Sequence, residues 1–71
     1  MTKWEYCYLH EVIGFGAGLY IEMPDKKREK IKDEAFALVN DLGEEGWELV
    51  NFSIIHTASR ERYWVFKRAI E

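Results

Sequence analysis

Cysteine and proline are almost absent from this sequence. Cys7 is the one cysteine and Pro24 the one proline among 71 residues. A single cysteine excludes an internal disulfide and a cluster of zinc-bound thiolates, and a lone thiol is typical of a reducing, cytoplasmic setting. A chain of this length predicts one domain, 1–71, which buries only about 60 % of the surface that the unfolded chain exposes. Because no disulfide can add stability, we expect self-association as a homodimer or higher oligomer.

Long hydrophobic runs are also missing. No stretch approaches the roughly 18 apolar residues of a membrane span. The segment 1–11 contains no apolar signal region, so we expect a cytoplasmic protein with no membrane partner. The net charge of −3 disfavours nucleic acid as a partner. The charge is uneven, because 26–32 is basic, 41–48 is acidic, and a second basic group follows near the end of the chain: Arg60, Arg62, Lys67 and Arg68.

Aromatic residues are plentiful, at 15 % of the chain. Together with β-branched residues they form three segments that predict strands, at 3–13, 47–56 and 62–70, with 57–61 as a hairpin loop. A shorter segment, 19–23, is a candidate for a fourth strand that folds back along the first. Both faces of each predicted strand carry apolar side chains.

Pro24 and Asp25 predict the start of a helix, with Asp25 as its N-cap. Apolar residues at helical spacing then form one stripe: Ile31, Ala35, Leu38, Val39 and Leu42. Gly43 follows this stripe, where a left-handed residue commonly ends a helix. Gly46 permits a second bend before Trp47, whose ring we expect to be buried at this corner.

These elements predict an α+β domain in the order β-α-β-β. The sheet would have three to four strands, be largely antiparallel, and carry one helix on one face. A single helix covers one face only, so we expect the other face to meet a second subunit through exposed rings. Trp64 and Phe66 are the predicted interface residues.

The segments "KWEY", "VNDLGEEGWELV" and "YWVFKRAI" resemble the small bacterial and phage family known as domain of unknown function 4177. The resemblance covers nearly the whole chain, and "LGEEGWELV" is its most specific part. It implies a β-α-β-β domain and no particular chemistry. The segment "GFGAGLYIEM" departs from the shorter family pattern, so a peculiarity of function could lie there.

The glycine-rich stretch 14–18 is the candidate ligand loop. Gly14, Gly16 and Gly18 could offer backbone N–H groups to a phosphate, although the pattern matches neither the dinucleotide fingerprint nor the phosphate loop, and a plain hairpin turn is the competing interpretation. Cations follow at Lys26, Lys27 and Arg28, and stackable rings flank the loop: Tyr8, Phe15 and Tyr20. These nine residues are the predicted ligand-binding set.

No catalytic or metal-binding pattern emerges. Cys7 and His10 are three residues apart in a predicted strand, so their side chains point to opposite faces and do not form a nucleophilic pair. His56 ends a predicted strand, and neither histidine has recognisable ligand spacing. We therefore expect no enzyme, no cofactor and no metal.

Three functions stay open from the sequence. The leading one is a non-enzymatic module that captures a small anionic, nucleotide-like ligand at or near a subunit interface, for example to sequester it. The first alternative is an assembly subunit without a small ligand. The second is a binder of single-stranded nucleic acid that uses the aromatic residues and the C-terminal basic group.

Overall fold

The computed structural model describes residues 1–14, 16–56 and 60–70. Within these ranges one helix and five strands follow each other in the order β-β-β-α-β-β. Their bounds are β1 Trp4–Ile13, β2 Gly18–Glu22, β3 Glu29–Ile31, α1 Ala35–Glu44, β4 Glu48–His56 and β5 Arg60–Ala69. The strands form one antiparallel sheet with the spatial order β3-β2-β1-β5-β4. The predicted α+β class is confirmed, whereas the strand count and the element order differ from those predicted.

The long strands β1 and β5 form the centre of the sheet. They pair from Trp4 opposite Ala69 to Ile13 opposite Arg60. The segment 57–59 of the predicted hairpin loop between β4 and β5 lies outside the described residues. In this central pair, alternate side chains point to opposite faces, which fixes what each face of the sheet presents.

The helix is shorter than the predicted one, which follows Asp25 as N-cap and extends to Leu42. α1 begins at Ala35, its N-cap is Glu34 rather than Asp25, and the residues 29–31 form β3. The reason lies in the composition of 24–34, where Ile31 is the one large apolar side chain. A helix over 24–34 would have no apolar stripe to bury against the sheet. In β3, by contrast, Ile31 pairs with Leu19 and packs against the core.

The core lies between α1 and one face of the sheet. Its buried members are Cys7, Leu9, Leu19, Ile21, Ala35, Leu42, Trp47, Trp64 and Phe66. Trp64 and Phe66 are only 3 % and 1 % exposed. Their expected place on the uncovered face is therefore wrong, because the even-numbered residues of β5 at these positions pair with Leu9 and Cys7 under the helix.

The corner after α1 uses one left-handed glycine, and it is Gly46. Gly46 has φ 92°, while Gly43 lies inside α1 and does not have positive φ. The Trp47 N–H donates to the Leu42 carbonyl at 3.0 Å, and the Gly46 N–H donates to the Gly43 carbonyl at 3.1 Å. This pair of bonds defines a Schellman motif with Gly46 at its left-handed position. Trp47 is 4 % exposed, so the predicted burial of its ring at this corner is confirmed.

Within the ranges that the structure describes, no helix has the length and the apolar character needed to cross a membrane.

Candidate functional site

The face of the sheet opposite α1, called the open face below, carries a row of exposed rings. In β1 the side chains of Trp4, Tyr6 and Tyr8 are 43 %, 47 % and 48 % exposed, whereas Cys7 and Leu9 between and beside them are fully buried. The alternation follows from the two-residue period of a strand. In the described part of the chain no helix lies over this face.

A pocket of about 220 Å³ opens on this face, across β2, β1 and β5. We call it the aromatic pocket. It is lined by Tyr8, His10, Tyr20, Ile21, Glu22, Arg28 and Tyr63. Most of these side chains are rings, and the lining contains one cation, Arg28, and one carboxylate, Glu22. The rings make the pocket suited to a flat ligand, and Arg28 is the group in it that could bind an anion.

Three rings of the pocket lie side by side across three strands. His10 of β1 is the register partner of Tyr20 in β2 and of Tyr63 in β5. His10 stacks on Tyr63 with ring centroids 4.2 Å apart and planes inclined by 7°. The His10 and Tyr20 centroids are 6.2 Å apart. Cross-strand pairing, rather than proximity in sequence, builds this surface.

Arg28 extends over the pocket from the connection between β2 and β3. Its Nη2 lies 2.7 Å from His10 Nδ1, and its Cζ lies 4.4 Å from the centroid of the Tyr20 ring. A guanidinium donates hydrogen bonds and accepts none, so Nδ1 is the acceptor here and the proton of a neutral imidazole is on Nε2. Stacking on Tyr20 orients the planar cation towards the open face.

Glu61 connects His10 to Tyr63 by hydrogen bonds. Its Oε1 lies 2.7 Å from His10 Nε2 and accepts a hydrogen bond from the Tyr63 hydroxyl at 3.1 Å. These two bonds, that from His10 first, hold the pKa of Glu61 below its usual value. Burial, followed by the bond to Glu61, raises the pKa of Tyr63. We refer to Arg28, His10, Glu61 and Tyr63 as the His10 network.

The structure brings together three of the nine predicted ligand-binding residues, namely Tyr8, Tyr20 and Arg28. Lys26 and Lys27 are exposed in the turn before β3 and do not line the aromatic pocket. Phe15 lies outside the described residues.

The three glycines occupy the turn between β1 and β2 and the start of β2, away from the lining of the aromatic pocket. Gly14 and Gly16 have φ 107° and 77°, as a tight turn requires. Gly14 and Gly18 border a different, more open depression of about 400 Å³. Gly18 also has a packing role, since a Cβ there would lie 3.0 Å from the Tyr20 hydroxyl and 3.1 Å from Lys30 Cε.

His10, Glu61 and Tyr63 are site residues that the sequence did not predict. His10 shares the even-numbered face of β1 with Tyr8, and this shared face was a usable signal. Glu61 belongs to β5, which begins at Arg60, and not to the predicted hairpin loop; in β5 it shares a face with Tyr63, the register partner of His10. The expected separation of Cys7 from His10 is confirmed, because Cys7 is buried under α1 and His10 lines the open face.

The basic group near the C-terminus is divided between the two faces. Arg62 bonds to Glu11, and Arg68 Nε bonds to Glu5 at 3.0 Å, all on the helix side of the sheet. Lys67 lies on the open face, with Nζ 4.3 Å from the Trp4 ring centroid. The open face of the described sheet therefore offers cations at separate places, Arg28 in the pocket, Lys30 opposite Tyr20 and Lys67 beside Trp4, rather than a continuous basic strip.

Over residues 1–14, 16–56 and 60–70, no group of three or more His, Cys, Asp or Glu side chains could hold a metal ion.

Comparisons of the chain with protein-family models, curated proteins and solved structures found no match. The resemblance to domain of unknown function 4177 thus stays a prediction from the sequence.

Proposed function

We propose that this protein is a non-enzymatic module that captures a small, flat, anionic ligand, such as a nucleotide, in the aromatic pocket. One observation carries the proposal: the Arg28 guanidinium lies over Tyr20 at the opening of a pocket lined by rings. Arginine has five N–H donors, and the hydrogen bond of Arg28 within the described residues uses one of them, towards His10. The remaining donors suit a phosphate or carboxylate, which arginine binds in a bidentate manner.

The rings supply the second part of the recognition. Tyr8 lines the pocket and is half-exposed, so a base could stack on its ring. Stacking contributes roughly 1–3 kcal/mol per base and depends little on which base is present. The volume of about 220 Å³ is smaller than that of most drug-sized sites. A single base with its charged group would fill it and leave the rest of a ligand in solvent.

Binding rather than catalysis is supported by the state of His10. Both ring nitrogens have partners, Glu61 at Nε2 and Arg28 at Nδ1, so neither is free to accept a proton from a substrate. Cys7, the one thiol, is on the other face, and burial raises its pKa to about 11. A captured ligand would thus be held without being changed, which suits sequestration.

Single-stranded nucleic acid is the second candidate, and one observation favours it. Trp4 and Tyr6 continue the row of rings beyond the pocket, with Lys67 over Trp4. A strand could stack successive bases along this row. The pairing of Arg62 and Arg68 with glutamates on the helix side leaves little charge for its backbone, so the pocket ligand is the stronger proposal.

A thermal-shift screen of nucleoside monophosphates, cyclic nucleotides and short oligonucleotides tests the proposal. A ligand of the folded state raises the melting temperature by mass action. We expect mononucleotides to raise it, Tyr20→Ala to abolish the shift, and Trp4→Ala to preserve it. An equal loss with Trp4→Ala would favour the nucleic-acid candidate. No shift with any compound would contradict both and favour an assembly subunit.

A further inference from the structure

The two edges of the sheet differ sharply in how they are protected. β3 forms one edge with three residues, of which Glu29 and Lys30 are charged and exposed. Short length and charge are common ways in which proteins block pairing at an edge strand. β4 forms the other edge with nine residues.

The β4 edge has little protection. Between Glu48 and His56 the strand contains no charged residue and no proline. One irregularity lies between Leu49 and Asn51. Nothing in the described part of the chain pairs with the outer side of β4, so its outward N–H and C=O groups are available for a further strand.

Exposed apolar side chains lie along β4 on both faces of the sheet. On the helix side Phe52 and Ile54 are 42 % and 50 % exposed, and Phe36 of α1 is 56 % exposed beside them. Phe36 and Phe52 both contact Trp64, with ring centroids 6.4 Å and 5.3 Å away. On the open face Ile55 is 39 % exposed. A partner that pairs with β4 would cover apolar surface as well as backbone groups.

We propose that β4 pairs antiparallel with β4 of a second copy, which joins two sheets into one of ten strands. The charges at the two ends of β4 favour this partner. Glu48, its first residue, follows Glu44 and Glu45 in sequence and has Lys67 opposite it, whereas Arg60 lies opposite the last residue and Glu61 opposite the residue before. Acidic residues therefore outnumber basic ones at the first end of β4 and do not at the last. Antiparallel pairing about a two-fold axis near Phe52, the middle of the strand, places the acidic end of each copy against the last end of the other, whereas a parallel arrangement would place the two acidic ends together.

This pairing closes after two copies. Each copy offers one unprotected edge, and the other edge is the short, charged β3, so the assembly stops at a dimer. The aromatic pocket lies across β2, β1 and β5 and includes no residue of β4. The dimer contact is therefore separate from the pocket, and failure of one proposal leaves the other standing.

The mass in solution tests the pairing. We expect sedimentation equilibrium of the wild-type chain to give twice the monomer mass of 8.5 kDa. Ile54→Lys should reduce the mass to that of the monomer, because a charged side chain at an edge opposes pairing. Ile70→Lys is the matched control: Ile70 is 52 % exposed, lies beyond β5 and should leave the dimer intact. Circular dichroism checks that each variant is folded.

Hydrogen exchange of the wild-type chain gives a second test that needs no variant. The outward amides of β4 should become at least tenfold more protected as the concentration rises through the dimer range, while the amides of β3 should not. A monomeric wild type at millimolar concentration, an Ile54→Lys variant that stays dimeric, or masses above that of a dimer would overturn the proposal.

Discussion

His10 lies flat against Tyr63, its cross-strand partner, and both side chains hydrogen-bond to the same oxygen of Glu61. The arrangement joins β1 to β5 on the open face and fixes the orientation of the imidazole. Because His10 Nε2 faces Glu61, its Nδ1 faces Arg28. Glu61 thus positions the pocket cation without contacting the pocket itself.

Acid should weaken the His10 network through Glu61. The folded-state pKa of Glu61 is below the ordinary value of 4.5, so its contribution to stability is complete above that pH and is lost as the pH falls through the folded-state pKa. We expect Glu61→Gln to unfold at a lower temperature than wild type at pH 7, with the difference shrinking below pH 4. Glu44→Gln, an exposed substitution at the end of α1, should show no such convergence. Thermal melts across this range measure both.

Alkali should act through Tyr63. The folded-state pKa of this phenol is above the ordinary value of 10.0, so its contribution is complete below pH 10 and is lost as the pH rises through the folded-state pKa. Tyr63→Phe keeps the stacked ring but removes the hydroxyl. The variant should therefore lose less stability than wild type between pH 9 and 11, relative to pH 7. Identical alkaline profiles for the two proteins would show that the hydroxyl makes no such contribution.

The two glycines of the corner should respond oppositely to alanine. Gly46 has φ 92°, so Gly46→Ala should lower the free energy of unfolding by about 1–2 kcal/mol through backbone strain. Gly43 lies in α1, and a Cβ there meets nothing within 4 Å. Gly43→Ala should therefore stabilise the protein by about 0.5–1 kcal/mol. Urea unfolding measures both, and the reverse order would contradict the assignment of the Schellman motif.

Replacement of Phe66 should have a different effect if this residue belongs to the core of one chain than if it belongs to an interface between two chains. Phe66 is 1 % exposed, so Phe66→Ala should cost about 3–5 kcal/mol and leave a chain this small largely unfolded. The loss should be independent of protein concentration at low micromolar levels. Recovery of the native circular dichroism at higher concentration would instead indicate that Phe66 is stabilised by a second subunit.

The strands could be predicted from the sequence because their aromatic and β-branched segments are long and continuous. The first half of the expected helix could not be predicted correctly. Asp25 after Pro24 satisfies a local rule for helix starts, but the charged residues that follow provide no apolar side chains for a helix to bury. The end of the helix was also predicted at the wrong glycine. Both Gly43 and Gly46 could adopt a left-handed conformation, and the hydrogen bonds of the corner show that Gly46 does so. Such choices depend on tertiary contacts.

The site was only partly predictable for a related reason. Tyr8, Tyr20 and Arg28 were recognised as suitable types of side chain near a glycine-rich turn. His10, Tyr63 and Glu61 belong with them through pairing between strands more than 50 residues apart in sequence, since His10 and Glu61 are separated by 51 positions. That register depends on where β5 begins, and the predicted loop 57–61 placed this start at Arg62 instead of Arg60.

Isothermal titration of the best mononucleotide from the screen into wild type, Arg28→Gln and Lys27→Gln tests the pocket most directly. Both substitutions remove one positive charge from neighbouring exposed positions, but Arg28 lines the pocket and Lys27 does not. We predict that Arg28→Gln weakens binding at least tenfold, as expected for a lost charged hydrogen bond, and that Lys27→Gln changes it less than threefold. Equal effects of the two substitutions, or no binding by wild type at millimolar ligand, would contradict an anion-binding pocket at Arg28.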